Sequence, residues 1–396
     1  MRNCRSCDSR NCELVIDLGE QSPPNALANF RQPQRTWPLR MVVCKDCWLM
    51  QTEVDVPHDE IFDKDYPYFS GQSQDWVDHC KAYAAQMTQR FGAPEYVIEI
   101  GGNDGTLLKN FSCGRLNVEP CENVARAAVE AGVPTTAAIW QNLTRRPWVK
   151  ADLIVANNVM AHTPDLTGFV ERIEDWLAPS GVATIEFPWV LNMIRETQFD
   201  TIYHEHYSYL SLTALEPLFQ RRGLRVFDVE SIPTHGGSLR VFVKRISYSG
   251  NNLQSESLAA YHEAEAPLRD MSTYIGFRER TAKIKSDIWS FLKEVGPVHG
   301  YGAAAKGSVF LNYCGLTEAE IPFIADTTPA KQGKLMPNTH IPIVPEKPLI
   351  EAQPEWVLIL PWNWKSEIIR KLRPALPRTK FVTAIPELVV SEPLSL

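Results

Sequence analysis

The sequence contains no run of 18 or more uninterrupted apolar residues, so it offers no segment long enough to span a bilayer as a helix. It also has no basic run. Lys and Arg number 40 against 47 Asp and Glu, a net charge of −7, which argues against nucleic acid or an anionic membrane as partner. The opening Met1-Arg2-Asn3-Cys4 has no apolar signal core, so the expected location is cytoplasmic. A reducing compartment disfavours disulfides among the nine cysteines. No internal repeat and no low-complexity tract is present. With 44% hydrophobic and 22% charged residues over 396 positions, the chain is globular and long enough for two or three domains.

What is present falls into three zones. Residues 1–60 hold five of the nine cysteines and only short apolar runs, too little for a large core without a staple. Residues 61–250 alternate strand-like and helix-like patterns, the signature of a mostly parallel sheet covered on both faces. Residues 251–396 open with one or two long helices. Strand patterns then recur at Val298–Tyr301, Pro322–Ala325, Trp356–Leu360 and Phe381–Thr383, as in a second, smaller α/β unit.

Two Cys-x-x-Cys knuckles, Cys4/Cys7 and Cys44/Cys47, each offer two thiolates to one side of a metal. Together they complete a tetrahedral shell suited to Zn²⁺, with the 36 intervening residues folding back. A closed shell has no open position, so this zinc is expected to be structural.

The run Val97–Thr106 ends a strand in the turn Gly101-Gly102-Asn103-Asp104-Gly105. Glu119 ends the next strand, 18 residues after Gly101, where a carboxylate can accept both hydroxyls of a ribose. The turn lacks Gly-x-Gly-x-x-Gly, and its acidic Asp104 would repel a pyrophosphate. S-adenosylmethionine, which has no phosphate and carries positive charge, fits better than NAD. Glu99, Gly101, Asn103, Asp104 and Glu119 are therefore candidate cofactor contacts. Asn157, at a third strand end, is a further candidate, and Tyr68 and Ser70 are placed to cover the methionine end.

The densest polar and aromatic cluster is Phe199–Tyr209, which contains Tyr203, His204, Glu205 and His206. So many polar groups would be costly to bury in an apolar interior. Proton transfer suits them, because a histidine titrates near neutral pH and a tyrosine can donate to an oxyanion. His162 should face the same cleft. His235, beside Gly236 and Gly237, could line a pocket or simply sit in a hairpin turn. In the last zone, Gly300–Gly307 joins a strand to a helix, and Lys306 with the helix amides could hold a phosphate. Tyr301 belongs to the same turn, and Asp326 could contact a ribose or cap a turn.

Taken together, the paired knuckles, Glu99–Leu107, Phe199–Ser211, Thr234–Phe242, Gly300–Gly315 and Pro337–Pro342 make the chain resemble the sugar C-methyltransferases of deoxysugar biosynthesis. The resemblance spans essentially the whole chain. It implies an α/β protein with a small zinc module (1–60), a class I S-adenosylmethionine methyltransferase domain built on a doubly wound sheet (61–250), and a helical linker with a second Rossmann-like, nucleotide-sugar-binding domain (251–396). It further implies that His206 is a base assisted by Tyr203, Glu205 and His162, and that the sugar nucleotide lies between the last two domains, where His204, His235, Tyr301, Lys306 and Asp326 are candidate contacts. The expected substrate is a nucleotide-linked 4-keto-deoxysugar, with C-3 of a dTDP-sugar preferred to C-5. The expected assembly is a monomer or weak dimer. Methyl transfer to oxygen, nitrogen or a non-sugar ketone, a non-catalytic sugar-nucleotide scaffold, and an NAD oxidoreductase are the alternatives.

Overall fold

The computed structural model describes residues 3–57, 61, 69–143, 149–233, 236–248 and 256–393. Tyr68 and His235 lie outside the described residues. Among the described residues no helix is long and apolar enough to cross a membrane.

The short apolar runs of the first zone are strands β1 (Cys12–Gln21), β2 (Trp37–Cys44) and β3 (Met50–Thr52), joined antiparallel. Helix α1 (Gln74–Phe91) follows, its first turn capped by Ser73 and its face of Cys80, Tyr83, Ala84 and Met87 buried. The central unit then runs through β4 (Tyr96–Ile100), β5 (Gly114–Val118), α2 (Glu122–Glu130), β6 (Thr135–Thr136) and β7 (Ala151–Asn157). It continues through α3 (Leu166–Trp176), β8 (Leu177–Pro188), α4 (Val190–Arg195), β9 (Ser208–Tyr209) and α5 (Leu212–Gln220). A hairpin of β10 (Leu224–Ile232) and β11 (Ser238–Arg245) closes it.

The seven-stranded central sheet has the order β10-β11-β8-β7-β4-β5-β6, parallel except for that hairpin. Strands β4 and β7 are buried on both faces, as central parallel strands require. Val97, Leu153 and Val155 pack with α1 residues, whereas Ile98, Ile154 and Ala156 pack with Leu166, Phe169 and Ile173 of α3. The order reverses between β4 and β7. A crevice therefore opens at their carboxyl ends, where Gly101 and Asn157 sit.

Helices α6 (Glu256–Glu265) and α7 (Met271–Val295) lead onward. Buried Tyr274, Phe277, Thr281, Ile284, Ile288 and Leu292 recur at helical spacing along α7. The last unit comprises β12 (His299–Tyr301), α8 (Ala305–Cys314), β13 (Ile324–Ala325), β14 (Ile343–Val344), α9 (Glu346–Ala352), β15 (Trp356–Ile359), α10 (Lys365–Leu372), β16 (Lys380–Thr383) and β17 (Val389–Ser391). Its order is β14-β13-β12-β15-β16-β17, with only β17 antiparallel, and it reverses between β12 and β15.

The units are joined through their backbones. β9, from the central part of the chain, pairs with β3 and extends the first sheet to four strands. The loop over 332–342, to which the sequence assigned no role, pairs with the first zone: Ala28 and Leu335 exchange both backbone hydrogen bonds, at 3.0 and 2.8 Å. Ser22 donates to Asn338 at 2.8 Å.

Buried Glu265 fastens the α6 end to the central unit. Its carboxylate accepts from Trp189 Nε1 and from the Leu212 and Thr213 amides, at 2.7–2.9 Å, and so caps α5. Replacing it with alanine would leave three buried donors unpaired. Glu265→Ala is expected to cost about 3 kcal/mol, roughly 6–12 °C in the melting of this part of the chain, while Glu265→Gln keeps an acceptor and loses less. Differential scanning calorimetry of the two variants checks this.

Candidate functional site

The knuckle cysteines converge. The four Sγ atoms lie within 4.8 Å of one another, with Cys4–Cys47 at 3.4 Å and Cys7–Cys44 at 3.6 Å. Zinc–sulfur bonds of about 2.3 Å in a tetrahedron place sulfurs about 3.8 Å apart, so the cluster is already close to the size of a Zn²⁺ shell. All four positions are thiol sulfurs, and Cys4, Cys44 and Cys47 are buried. The ion they fit is a structural one that ties β2 to the N-terminal turn.

The crevice of the central sheet holds a cavity of about 490 Å³. Ser70, Glu99, Gly101, Asn103, Glu119, Asn157 and His162 all line it. Glu99 is buried on β4 with Oε2 unpartnered. Burial, then the charges of Glu119 and Asp104, hold its carboxyl well above the usual carboxylate range. Glu119 is also raised by burial, partly offset by the amides it accepts from. Asn103 N–H donates to its Oε2 at 3.0 Å and Cys121 N–H to its Oε1 at 2.8 Å. Asn103 has a left-handed backbone, φ 51°, and its side-chain oxygen accepts from Ser70 N–H at 2.8 Å. Both side-chain atoms of Asn157 and of its neighbour Asn158 are buried and unpartnered.

No Lys or Arg lines this cavity among the described residues, while Glu99, Glu119 and Asp165 do. Unpaired buried carboxylate and amide groups of this kind suit a cationic, phosphate-free ligand such as S-adenosylmethionine. Asp104 requires a correction. It does not line the cavity: its carboxylate accepts from Gly71 N–H at 2.9 Å and from the Thr106 hydroxyl at 2.6 Å. Asp104 therefore braces the turn that carries Ser70.

Beside the cavity, the run 199–209 folds onto the turn of His162. Tyr207 N–H donates to Ala161 O at 2.8 Å, and His162 Nδ1 lies 2.9 Å from the Glu205 carbonyl. A carbonyl only accepts, so that nitrogen carries the proton. The His162 and His206 rings lie 4.6 Å apart, and Tyr203 and Tyr209 lie 5.1 and 6.0 Å from His206. Burial first, then the charges of Asp200, Tyr209 and Glu205, raises the Tyr203 phenol well above its ordinary value, so it stays a proton-bearing donor. Glu205 is raised by burial, and its Oε1 accepts from Asn25 of the first zone at 3.1 Å.

His204 does not join this group. It is buried at 2% exposure against Trp37, whose carbonyl lies 3.3 Å from its Nε2. Burial lowers it to about 4, so it is a neutral wedge between units rather than a substrate contact.

At the second crevice, Lys306 stands in the first turn of α8. Its Nζ donates to Asn363 at 2.9 Å and lies 4.6 Å from the Trp362 ring centre. Two neighbours differ from expectation. The Tyr301 hydroxyl donates to Glu346 at 2.5 Å, and its ring packs with Leu349, Val357 and Leu372, whereas α8 packs on the opposite core. Asp326 gives both carboxylate oxygens to backbone amides, of Ala303 and Thr328, each at 2.7 Å. Tyr301 is thus a core residue and Asp326 a turn brace, while Lys306 stands at the helix start beside Trp362 and Asn363.

Sequence reasoning gave no role to Asp200, Trp362 or Asn25. Asp200 and Trp362 lie 162 positions apart, yet the Trp362 indole donates to Asp200 at 2.8 Å. Asn158, at the same strand end as Asn157, lines the donor cavity with it.

The zinc cluster yields the test for this part of the structure. Cys44→Ser should abolish stoichiometric zinc, read by elemental analysis. It should also lower the melting temperature, because a structural site contributes its binding free energy to folding.

Three family models cover most of the chain: a zinc binding domain over residues 4–62, a methyltransferase domain over 76–229 and a C-methyltransferase C-terminal domain over 233–386. The chain is 33% identical to the C-methyltransferase NovU of Streptomyces niveus, over 97% of this chain and 95% of that protein. Among solved structures, the PH0226 protein of Pyrococcus horikoshii OT3 is 14% identical with a TM-score of 0.39, covering 45% of this chain and 94% of that one. An S-adenosylmethionine-dependent methyltransferase of Clostridium acetobutylicum ATCC 824 is 11% identical with a TM-score of 0.36, covering 43% and 92%. The central sheet is that of a class I S-adenosylmethionine-dependent methyltransferase, preceded by a zinc-binding module. By its match to NovU along nearly its whole length, the chain belongs to the C-methyltransferase family.

Proposed function

We propose that this C-methyltransferase acts on a nucleotide-linked 4-keto-deoxysugar, a dTDP-sugar methylated at C-3. In this reading residues 1–60 form the zinc module, 61–250 bind the methyl donor and 251–396 bind the nucleotide. One observation carries it: the crevice of the C-terminal sheet, with Lys306, abuts the run that brings Tyr203 and His206 beside the donor cavity. Ligands of open α/β sheets bind at such order reversals, and a lysine in the first turn of a helix favours an anion.

The chemistry follows from the acidity of a carbon next to a ketone, whose carbanion spreads onto oxygen. His206 takes the proton from that carbon. Tyr203, kept protonated by burial, donates to the oxygen on which charge develops. His162 and Glu205 position this pair, His162 through its bond to the Glu205 carbonyl and Glu205 through its bond to Asn25. In the donor cavity Glu119 holds a ribose and Glu99 faces the cationic end, with Gly101, Asn103, Asn157 and Ser70 shaping the wall. S-adenosylmethionine, when bound, supplies a methyl group on a sulfonium, which a carbon nucleophile accepts. The 4-ketone acidifies C-3 and C-5 alike, and product fragmentation distinguishes the two.

The test is a mass-spectrometric assay with S-adenosylmethionine and a panel of nucleotide 4-keto-deoxysugars in deuterated water. The wild-type enzyme should add one methyl to ring carbon C-3. His206→Asn should lose methylation and deuterium exchange at that carbon by about 10²–10⁴-fold while still binding the donor. Near-normal turnover of that variant would remove His206 from the role. Methylation of oxygen or nitrogen instead would overturn the acceptor class.

A further inference from the structure

Asp200 is 1% exposed, yet nothing in the chemistry above uses it. Its Oδ2 accepts from Trp362 Nε1 at 2.8 Å. Its Oδ1 is sealed from solvent and meets no hydrogen-bond partner outside its own residue. A buried carboxylate with a free oxygen is costly, and a protein tolerates it where the charge does something.

The groups facing Asp200 come from three elements. Lys306 arrives from α8, Trp362 from the short turn after β15, and Tyr203 from Asp200's own run. The Lys306 ammonium rests 4.6 Å from the same indole that Asp200 holds, and donates a hydrogen bond to Asn363 Oδ1 at 2.9 Å. Phe199, the residue before Asp200, packs on α8 with its ring 6.3 Å from Phe310 and 5.1 Å from Tyr313. The carboxylate therefore stands at the joint between the catalytic run and the C-terminal crevice.

We infer that Asp200 is a positioning residue for the acceptor: it pins the Trp362 indole, and with it the Lys306 ammonium that rests on that ring, at the mouth of the C-terminal crevice. This rests on the reading that an anionic nucleotide occupies that crevice. Burial lowers Lys306, and Asp200 opposes that shift. Burial in turn pushes Asp200 up to about 6, with Lys306 and the indole opposing. The carboxylate is ionised above that pH. As pH falls through it, Asp200 becomes neutral and its hold on the Trp362 indole changes from a charge-assisted to a neutral hydrogen bond.

The experiment uses the full-length, zinc-loaded protein with dTDP as probe. Asp200→Ala should weaken dTDP binding about tenfold by titration calorimetry, the size expected for one charge-assisted contact. Asp200→Asn retains an acceptor for the indole and should recover most of that loss. Both variants should bind S-adenosylmethionine as the wild type does, which also shows that they fold. The Trp362 indole N–H resonance, assigned with Trp362→Phe, should shift with a midpoint near pH 6 in the wild type and stay flat in Asp200→Asn. Unchanged dTDP binding in Asp200→Ala, a parallel loss of S-adenosylmethionine binding, or a flat wild-type indole resonance would each overturn the inference. If the wild type does not bind dTDP, the acceptor reading fails by itself, and the indole titration alone decides whether Asp200 governs Trp362.

Discussion

Residues 199–209 touch all three units of the chain, and those contacts constrain the rest of the molecule. Phe199 packs on α8 of the C-terminal unit, Tyr207 bonds to the turn of His162 in the central unit, and Ser208–Tyr209 adds a strand to the zinc module. The strand pairs Ser208 with Gln51 and Tyr209 with Met50, which sets Tyr209 relative to β3. Its hydroxyl then lies 2.9 Å from the Tyr203 amide nitrogen, which donates to it. The cluster of Tyr203, His206 and His162 is thus held by backbone pairing on both sides rather than by a flexible loop. That is what a site needs if a proton is to leave carbon in one defined direction.

The charges of the two crevices are opposite in kind. The central one carries Glu99 and Glu119 with no Lys or Arg in its lining among the described residues, and the C-terminal one presents Lys306. Burial first, then the charges of Glu119 and Asp104, raises the Glu99 carboxyl. Such an arrangement costs folding stability and is relieved by a cation. The lysine is likewise partly desolvated and relieved by an anion. A cationic donor would neutralise the central crevice.

The sequence made the metal and the donor turn legible because both are local. Two thiolates three positions apart already present themselves together, and a strand followed by Gly101–Gly105 already implies a crevice. Spacing also displayed the long helices and the alternating units. The failures were all of one kind. Asp104, Tyr301 and His204 were read as ligand contacts, and Asp326 as either a ribose contact or a turn cap, because polar residues near a strand end or in a polar cluster attract that reading. The structure gives each of them a protein partner instead: Gly71 and Thr106, Ala303 and Thr328, Glu346, and Trp37. Local pattern states that a side chain needs a hydrogen bond; only tertiary structure states who supplies it. The link from Asp200 to Trp362 was hidden for the same reason, since nothing in either neighbourhood mentions the other.

The zinc module illustrates how a closed metal site bears on chemistry it cannot perform. Its metal has no open coordination position, so it neither binds nor activates substrate. Yet Cys44 ends β2 and Cys47 precedes β3, so the knuckle fixes the hairpin whose outer strand pairs with β9. Arg5, between the N-terminal cysteines, donates to the Thr52 carbonyl at 2.8 Å and stacks 5.5 Å from Tyr207. The same first zone sends Asn25 to Glu205 and wedges Trp37 against His204. The module held by four thiolates thereby contacts the run 199–209 at several points. The separate metal domain is thus packed against a short, polar turn beside the central cavity.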